Sequence, residues 1–432
     1  MKKFSYLSRK KNIELMQDFS TEFDLVIIGG GINGAGVARD ASLRGMKVAL
    51  VEAHDFASGT SSRSSKLIHG GIRYLENLEF HLVFEALNER TKLFEMAPHL
   101  VHPLRFMIPL YKKSRVGMFK MGLGMWLYDA LSLFQTPEMH ERLNVKETIE
   151  RMPTLAPEEL IGSFVYSDAY MDDDRLVHET LRSANENGAL CANYVKATGA
   201  SFNSDGKMIS IDCLDTIGQK KFAIRGKHII STVGAWTDSV AESFFKDWKK
   251  ILRPTKGIHI TIAKNRLPLS SAVVMGAENS DRIIFGIPRH EMVIVGTTDT
   301  DYKELPDGVV ATPEDIKYLL SIVEFYFPGA KLKESDILAS YAGVRPLVKD
   351  NSSSAGKTSR EHTILNDPRG VTFAAGGKYT TYRLMSEQIV DSSLKYFSIE
   401  DRVKFKTVST AIPLNSWISP ESYQQAQITK IA

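Results

Sequence analysis

The chain has 432 residues, 43% hydrophobic and 24% charged, with 54 basic and 51 acidic side chains and a formal charge of +3. Domains typically run to about 100–200 residues, so two or three are expected. The charge is too balanced for nucleic acid to be the main partner. Cys191 and Cys213 share no metal-ligand spacing with histidines, so no metal is expected and both read as reduced, buried thiols. No uncharged apolar run reaches the roughly 18 residues of a membrane span, and the basic N-terminus lacks a signal-peptide core. A cytoplasmic protein is expected.

In chain order, residues 1–20 read as a polar, basic tail carrying Lys2, Lys3, Arg9, Lys10 and Lys11. An apolar strand at 23–28, a glycine-rich turn, a helix from about 33 to 44 and a second strand at 47–51 form a strand–helix–strand unit. The turn, Gly29-Gly30-Gly31-Ile32-Asn33-Gly34, fits G-x-G-x-x-G. Glycine is needed where the chain reverses sharply and its backbone must approach a pyrophosphate held at the helix N-terminus. Glu52 follows about 20 residues on, where a carboxylate can accept from a ribose. These features predict a Rossmann-like dinucleotide-binding unit, without separating FAD from NAD.

The next segment, 58–66, is rich in hydroxyls (Ser58, Thr60, Ser61, Ser62, Ser64, Ser65) and makes a poor helix or core strand. It leads into His69-Gly70-Gly71-Ile72-Arg73-Tyr74, as a chain following a cofactor toward its reactive ring would. A helix is predicted over 81–97. Residues 116–134 combine Met118, Phe119, Met121, Met125, Trp126, Leu127 and Phe134 with Lys120 and nearby Lys112, Lys113 and Arg115. That pattern suits either an interfacial amphipathic helix or a buried one. A strand is expected at 228–232, period-two runs at 258–262, 283–287 and 292–296 predict an antiparallel sheet, and a last helix is expected over 381–397.

Several segments carry a resemblance: DLVIIGGGINGAG (24–36), TSSRSSKLIHGGIRYLE (60–76), EALNER (85–90), APHLVHPLRFMIP (97–109), YSDAYMDDDRLV (166–177), IIFGIPRHEMVIVGTTDTDY (283–302), SYAGVRPLV (340–348), SREHTI (359–364) and GGKYTTYR (376–383). In these the sequence resembles the FAD-dependent glycerol-3-phosphate dehydrogenases, within the D-amino-acid-oxidase-like flavoproteins. The resemblance implies an α/β (α+β) fold in which an FAD-binding Rossmann-like domain alternates with a discontinuous antiparallel-sheet substrate domain. It implies a basic tail at 1–20, FAD-binding parts at 21–87, 162–240 and 351–414, and substrate-domain parts at 88–161 and 241–350. Residues 415–432 then lead toward a C-terminal helical domain that family members usually carry, which leaves dimerisation to a homodimer and membrane attachment open.

The implied reaction is oxidation of sn-glycerol 3-phosphate to dihydroxyacetone phosphate by hydride transfer to flavin N5. The implied acceptor is the membrane quinone pool, reached by peripheral contact at the cytoplasmic face. An oxidase of the same family, reducing oxygen to peroxide, is the alternative. Arg345 and Arg360 match arginines that grip the substrate phosphate, where a planar fork binds two oxygens. His259 matches the candidate base; His69, beside Arg73 and Tyr74, is the other histidine expected to face the ring, and a histidine with a pKa near working pH suits that task. Arg73 and Tyr74 are expected to orient the substrate. Gly377, Lys378, Thr380 and Thr381, at the start of the last helix, are expected to stabilise charge on the reduced flavin, with Lys378 also a catalytic candidate. The remaining cofactor contacts implied are Gly29, Gly31, Asn33, Gly34, Glu52, Thr60, Ser61, Ser62, Ser65, Lys66, Leu67, Thr232, Gly234 and Trp236.

Overall fold

The computed structural model describes residues 5–76, 78–276, 282–349 and 361–415. The strand Glu22–Ile28 is buried at every position after the first, because it lies between two parallel neighbours, Val48–Val51 and Lys220–Ser231. Strands enclosed on both faces read as continuous apolar runs, which is how this one stood out in the sequence. Leu190–Ala192 and Val371–Gly376 extend the parallel sheet at either side, and His362–Asp367 closes one edge antiparallel. The helices Ile32–Leu43, Asp173–Glu186 and Tyr382–Ser393 cover it, with Val37, Ala38, Leu181 and Ile389 in the shared core.

The second sheet is mostly antiparallel. Leu252–Ala263 pairs with Met292–Gly296 on one side, as the period-two runs predict, and with Ile337–Val348 on the other. Val101–Tyr111 pairs along its length with Leu160–Met171, whose far end also pairs with the short strand Leu67–Ile68. Both Leu160–Met171 and Leu67–Ile68 therefore belong to this second sheet.

The expected N-terminal tail contains a helix, Tyr6–Met16. Arg9, Asn12, Ile13 and Met16 recur at helical spacing and are all buried. Arg9 donates to Asp215 at 2.6 Å and Asn12 to the Cys191 carbonyl at 3.0 Å, so Arg9 is a docked residue and not a free surface charge. Lys2 and Lys3 lie outside the described residues. Cys191 and Cys213 are free and buried, and burial pushes the Cys191 thiol up to about 12.

The helix Met118–Leu131 divides its faces: Met125, Tyr128 and Asp129 are buried, while Phe119 (80% exposed), Leu123 and Trp126 form an outward apolar stripe. Among the described residues, no helix is long and apolar enough to cross a membrane.

Candidate active site

The glycine turn ends the first strand at Gly29, whose φ of +107° is disfavoured for side chains. Gly34 must lack a Cβ for another reason: one added there would sit 1.9 Å from the Gly29 carbonyl oxygen. Helix and strand thus touch backbone to backbone, and the Ile32 N–H donates to Ser61 Oγ at 3.0 Å. Glu52 accepts from the Gly30 N–H at 2.7 Å and the His54 N–H at 2.9 Å. Each carboxylate oxygen keeps a lone pair for another donor. Thr232 Oγ1 donates to the Ile28 and Gly29 carbonyls, tying the returning strand to the turn.

The hydroxyl-rich segment runs between the two sheets. Thr60 Oγ1 donates to the Val344 carbonyl at 2.6 Å and Arg63 to the Ala342 carbonyl at 3.1 Å. Ser64 and Lys66 both donate to Asp173. Ser65 Oγ lies 2.9 Å from His259 Nε2.

His259 sits on Leu252–Ala263 opposite Gly296 and Tyr341, its ring stacked on Tyr341 at 4.7 Å between centroids. Burial, with the positive charges of Arg345 and Lys66, holds its pKa down at about 3. That places it below the near-neutral range ordinary for histidine. Arg345, on the neighbouring strand, donates to Thr297 Oγ1 at 2.8 Å, the Thr298 carbonyl at 3.2 Å and Asp299 Oδ1 at 3.3 Å.

His69 is bracketed by Thr380, whose hydroxyl accepts from the His69 N–H and donates to the His69 carbonyl, both at 3.2 Å. Arg73 and Tyr74 lie in the 3-10 turn Ile72–Leu75, and Lys378 Nζ stands 3.8 Å from the Tyr74 ring centre. Gly376 and Gly377, at φ +76° and +86°, turn the chain so that Lys378 reaches this point. The helix begins at Tyr382, after a 3-10 turn holding Thr380 and Thr381.

One cavity of about 880 Å³ joins these groups, lined by Gly29, Gly31, Asn33 and Glu52 and also by His69, Tyr74, His259, Arg345 and Lys378. A cradle closed to Cβ atoms, a ribose-height carboxylate and a continuous cleft between two sheets fit a dinucleotide as the residues stand.

The family described as FAD dependent oxidoreductase matches residues 24–383. The aerobic glycerol-3-phosphate dehydrogenase of Staphylococcus epidermidis (strain ATCC 35984) is 39% identical over 401 residues, 93% of this chain and 71% of that protein. That of Staphylococcus saprophyticus is 40% identical over 405 residues, 94% and 73% respectively. This chain belongs to the FAD-dependent oxidoreductases, in the glycerol-3-phosphate dehydrogenase family. Among solved structures, the glycerol-3-phosphate dehydrogenase of Bacillus halodurans complexed with FAD aligns with a TM-score of 0.79 at 31% identity, over 98% of this chain and 74% of that one. The L-alpha-glycerophosphate oxidase of Mycoplasma pneumoniae, with FAD bound, shares the fold at a TM-score of 0.65 and 21% identity, over 86% and 94%. The enzyme's cofactor is FAD.

Most residues expected at the site line the cavity: Thr60, Ser61, Ser65, Leu67, Arg73, Thr232, Gly234, Trp236, Gly377 and Thr380 join those named above. Gly34, Ser62, Lys66 and Thr381 do not. Gly34 serves helix–strand contact, Ser62 bonds back to the Gly59 carbonyl, Lys66 turns away at φ +56° to pair with Asp173, and Thr381 Oγ1 donates to the Lys378 carbonyl. Arg360 lies outside the described residues. Arg282 was not foreseen; it lines the cavity and donates to the Asp299 carbonyl at 3.0 Å, beside Arg345. The only local signal was the run Thr297-Thr298-Asp299, polar residues following an apolar strand.

Proposed function

We propose that this enzyme oxidises sn-glycerol 3-phosphate at its secondary hydroxyl to dihydroxyacetone phosphate. One observation carries the reading: Arg345 and His259 line the same cavity as the glycine cradle, close enough for the Arg345 charge to act on the His259 ring. FAD, when bound, supplies the hydride-accepting ring. Arg345 holds the substrate phosphate, with Arg282 beside it and Arg360 as the family's second fork. Arg73 and Tyr74 orient the substrate from the facing loop. His259 takes the hydroxyl proton at Nε2, where it now meets Ser65 Oγ. A phosphate dianion at Arg345 offsets the positive charge that adds to burial in depressing His259, so its proton affinity rises when substrate arrives. His69 is the reserve candidate for base, and Lys378 supplies positive charge at the cofactor's reactive end.

The electrons pass to a membrane quinone. The stripe Phe119, Leu123 and Trp126, with Lys120 among them, supports a peripheral seat on the anionic cytoplasmic face. Anaerobic addition of glycerol 3-phosphate should bleach the flavin while glycerol does not. Failure to bleach sinks the substrate assignment. Re-oxidation faster with a soluble quinone than with oxygen is expected; peroxide production at the full turnover rate would make the enzyme an oxidase.

A further inference from the structure

Behind the loop carrying His69, Arg73 and Tyr74 lies a charged network closed to solvent. Arg90 Nη1 meets Asp168 Oδ1 at 2.6 Å, with both side chains at most 1% exposed. Arg90 also donates to the Ser167 carbonyl at 2.8 Å. Tyr128 donates its hydroxyl to Asp168 Oδ2 at 2.8 Å. Burial, and then the Asp168 charge, push the Tyr128 phenol well above its usual range, so it keeps its proton. The Gly70 N–H then donates to the Tyr128 oxygen at 3.0 Å, with Asp168 Oδ1 at 3.3 Å.

The fit is tight. A Cβ at Gly70 would come within 2.5 Å of both the Tyr128 hydroxyl and Leu87, and Gly71 follows at φ +75°. A fully buried ion pair is poor evidence of a stability role, since apolar replacements often do as well. Arg90, Tyr128 and Asp168 do not line the cavity, so they touch neither substrate nor cofactor directly. What the network holds is the backbone of the loop, on the side opposite Thr380.

We propose that Tyr128, backed by Asp168 and Arg90, is a positioning residue that keeps the 69–74 loop in its substrate-competent conformation. The proposal rests on the reading that this loop binds glycerol 3-phosphate. If the loop is competent only part of the time, apparent affinity falls by that fraction, while the saturated enzyme, with the loop ordered by substrate, turns over normally.

The test uses FAD-loaded enzyme carrying Tyr128→Phe. Tyr111→Phe is the control, because it also removes a buried phenol bond (to the Ala156 carbonyl, 2.9 Å) but lies away from the cavity. Tyr128→Phe should raise KM about 3–10-fold, the loss expected for one hydrogen bond, with kcat within about twofold of the parent. Tyr111→Phe should change neither. Amide exchange in the peptide spanning 69–76, measured without substrate, should quicken at least about threefold in Tyr128→Phe only. Unchanged exchange, an unchanged KM, a fall in kcat alone, or equal effects from both variants would overturn the proposal. If glycerol 3-phosphate fails to bleach the parent enzyme, the substrate reading has failed, and the exchange result still decides the positioning role.

Discussion

The Arg345 guanidinium lies against Gly257, where an added methyl group would come within 2.3 Å of its Nη2. The strand Leu252–Ala263 thus leaves a notch that sets the direction of the fork. Arg345→Ala should raise KM for glycerol 3-phosphate at a cost of about 1.5–3 kcal/mol, the range for a charge-assisted contact. Gly257→Ala should move KM the same way, less strongly, by displacing the fork without removing it. Steady-state kinetics of both variants provide the check, and a normal KM in Arg345→Ala would remove it from phosphate binding.

His259→Ala should lower kcat by about 10²–10⁴-fold while FAD remains bound. Because the ring's pKa is held near 3, it should add no inflection to kcat/KM between pH 5 and 8. An acid limb near pH 6 should belong to the substrate, whose phosphate has its second pKa about there, and should persist in the variant. Stopped-flow flavin reduction across pH measures both effects; an unchanged rate would pass the role to His69.

Gly34→Ala should abolish FAD binding and lower yield, since the helix must retreat from the Gly29 carbonyl. The parent protein should release yellow cofactor on acid precipitation, as expected of non-covalent attachment. A yellow Gly34→Ala protein of normal stability would contradict the cradle geometry.

Acidification should destabilise the fold. His228 and His259 are both held near 3 by burial, so between about 3 and 6.5 the unfolded chain binds protons that the native state refuses. Stability is therefore lost as pH falls below about 6.5. At pH 5.5 each histidine costs about 1.4 kcal/mol relative to neutral pH. Asp40, raised to about 6 by burial, acts oppositely and returns less than about 1 kcal/mol. The net loss of about 2 kcal/mol should appear in denaturant melts at pH 7.5 and 5.5, and should shrink in His228→Gln.

Parent enzyme should sediment with anionic vesicles at low salt and less so at high salt. Phe119→Glu with Trp126→Glu should stay in the supernatant with normal activity toward a soluble dye. Equal recovery of parent and variant would leave the exposed stripe without a membrane role.

What the sequence made legible was local. The turn at Gly29–Gly34 and Glu52 lie within one strand–helix–strand unit, and backbone geometry demands glycine at Gly29 and Gly34. The period-two runs likewise became the centre of the second sheet. What escaped was long-range: Arg9 is buried only because Asp215, 206 positions away, neutralises it. Arg90, Tyr128 and Asp168 are scattered over three elements, and although Arg90 and Asp168 fall in segments that resemble the family, nothing local shows that they meet. Lys66 sat in the right segment, but its side chain went to Asp173, a partner 107 positions on. The depressed pKa of His259 follows from burial and from Arg345 across the sheet, neither of which periodicity reports.

The hydroxyl-rich segment has a consequence for how the molecule comes apart. Ser61 caps the helix on the parallel sheet, Thr60 and Arg63 bond the carbonyls of Val344 and Ala342, and Tyr341 donates to the Ser64 carbonyl at 3.0 Å. Four residues of this segment thus bond to elements of both sheets, so neither sheet can loosen without stripping hydrogen bonds from the other. The two sheets should therefore unfold as a single cooperative unit. Heating should give one transition and not two, with flavin fluorescence appearing at the same temperature as the loss of secondary structure.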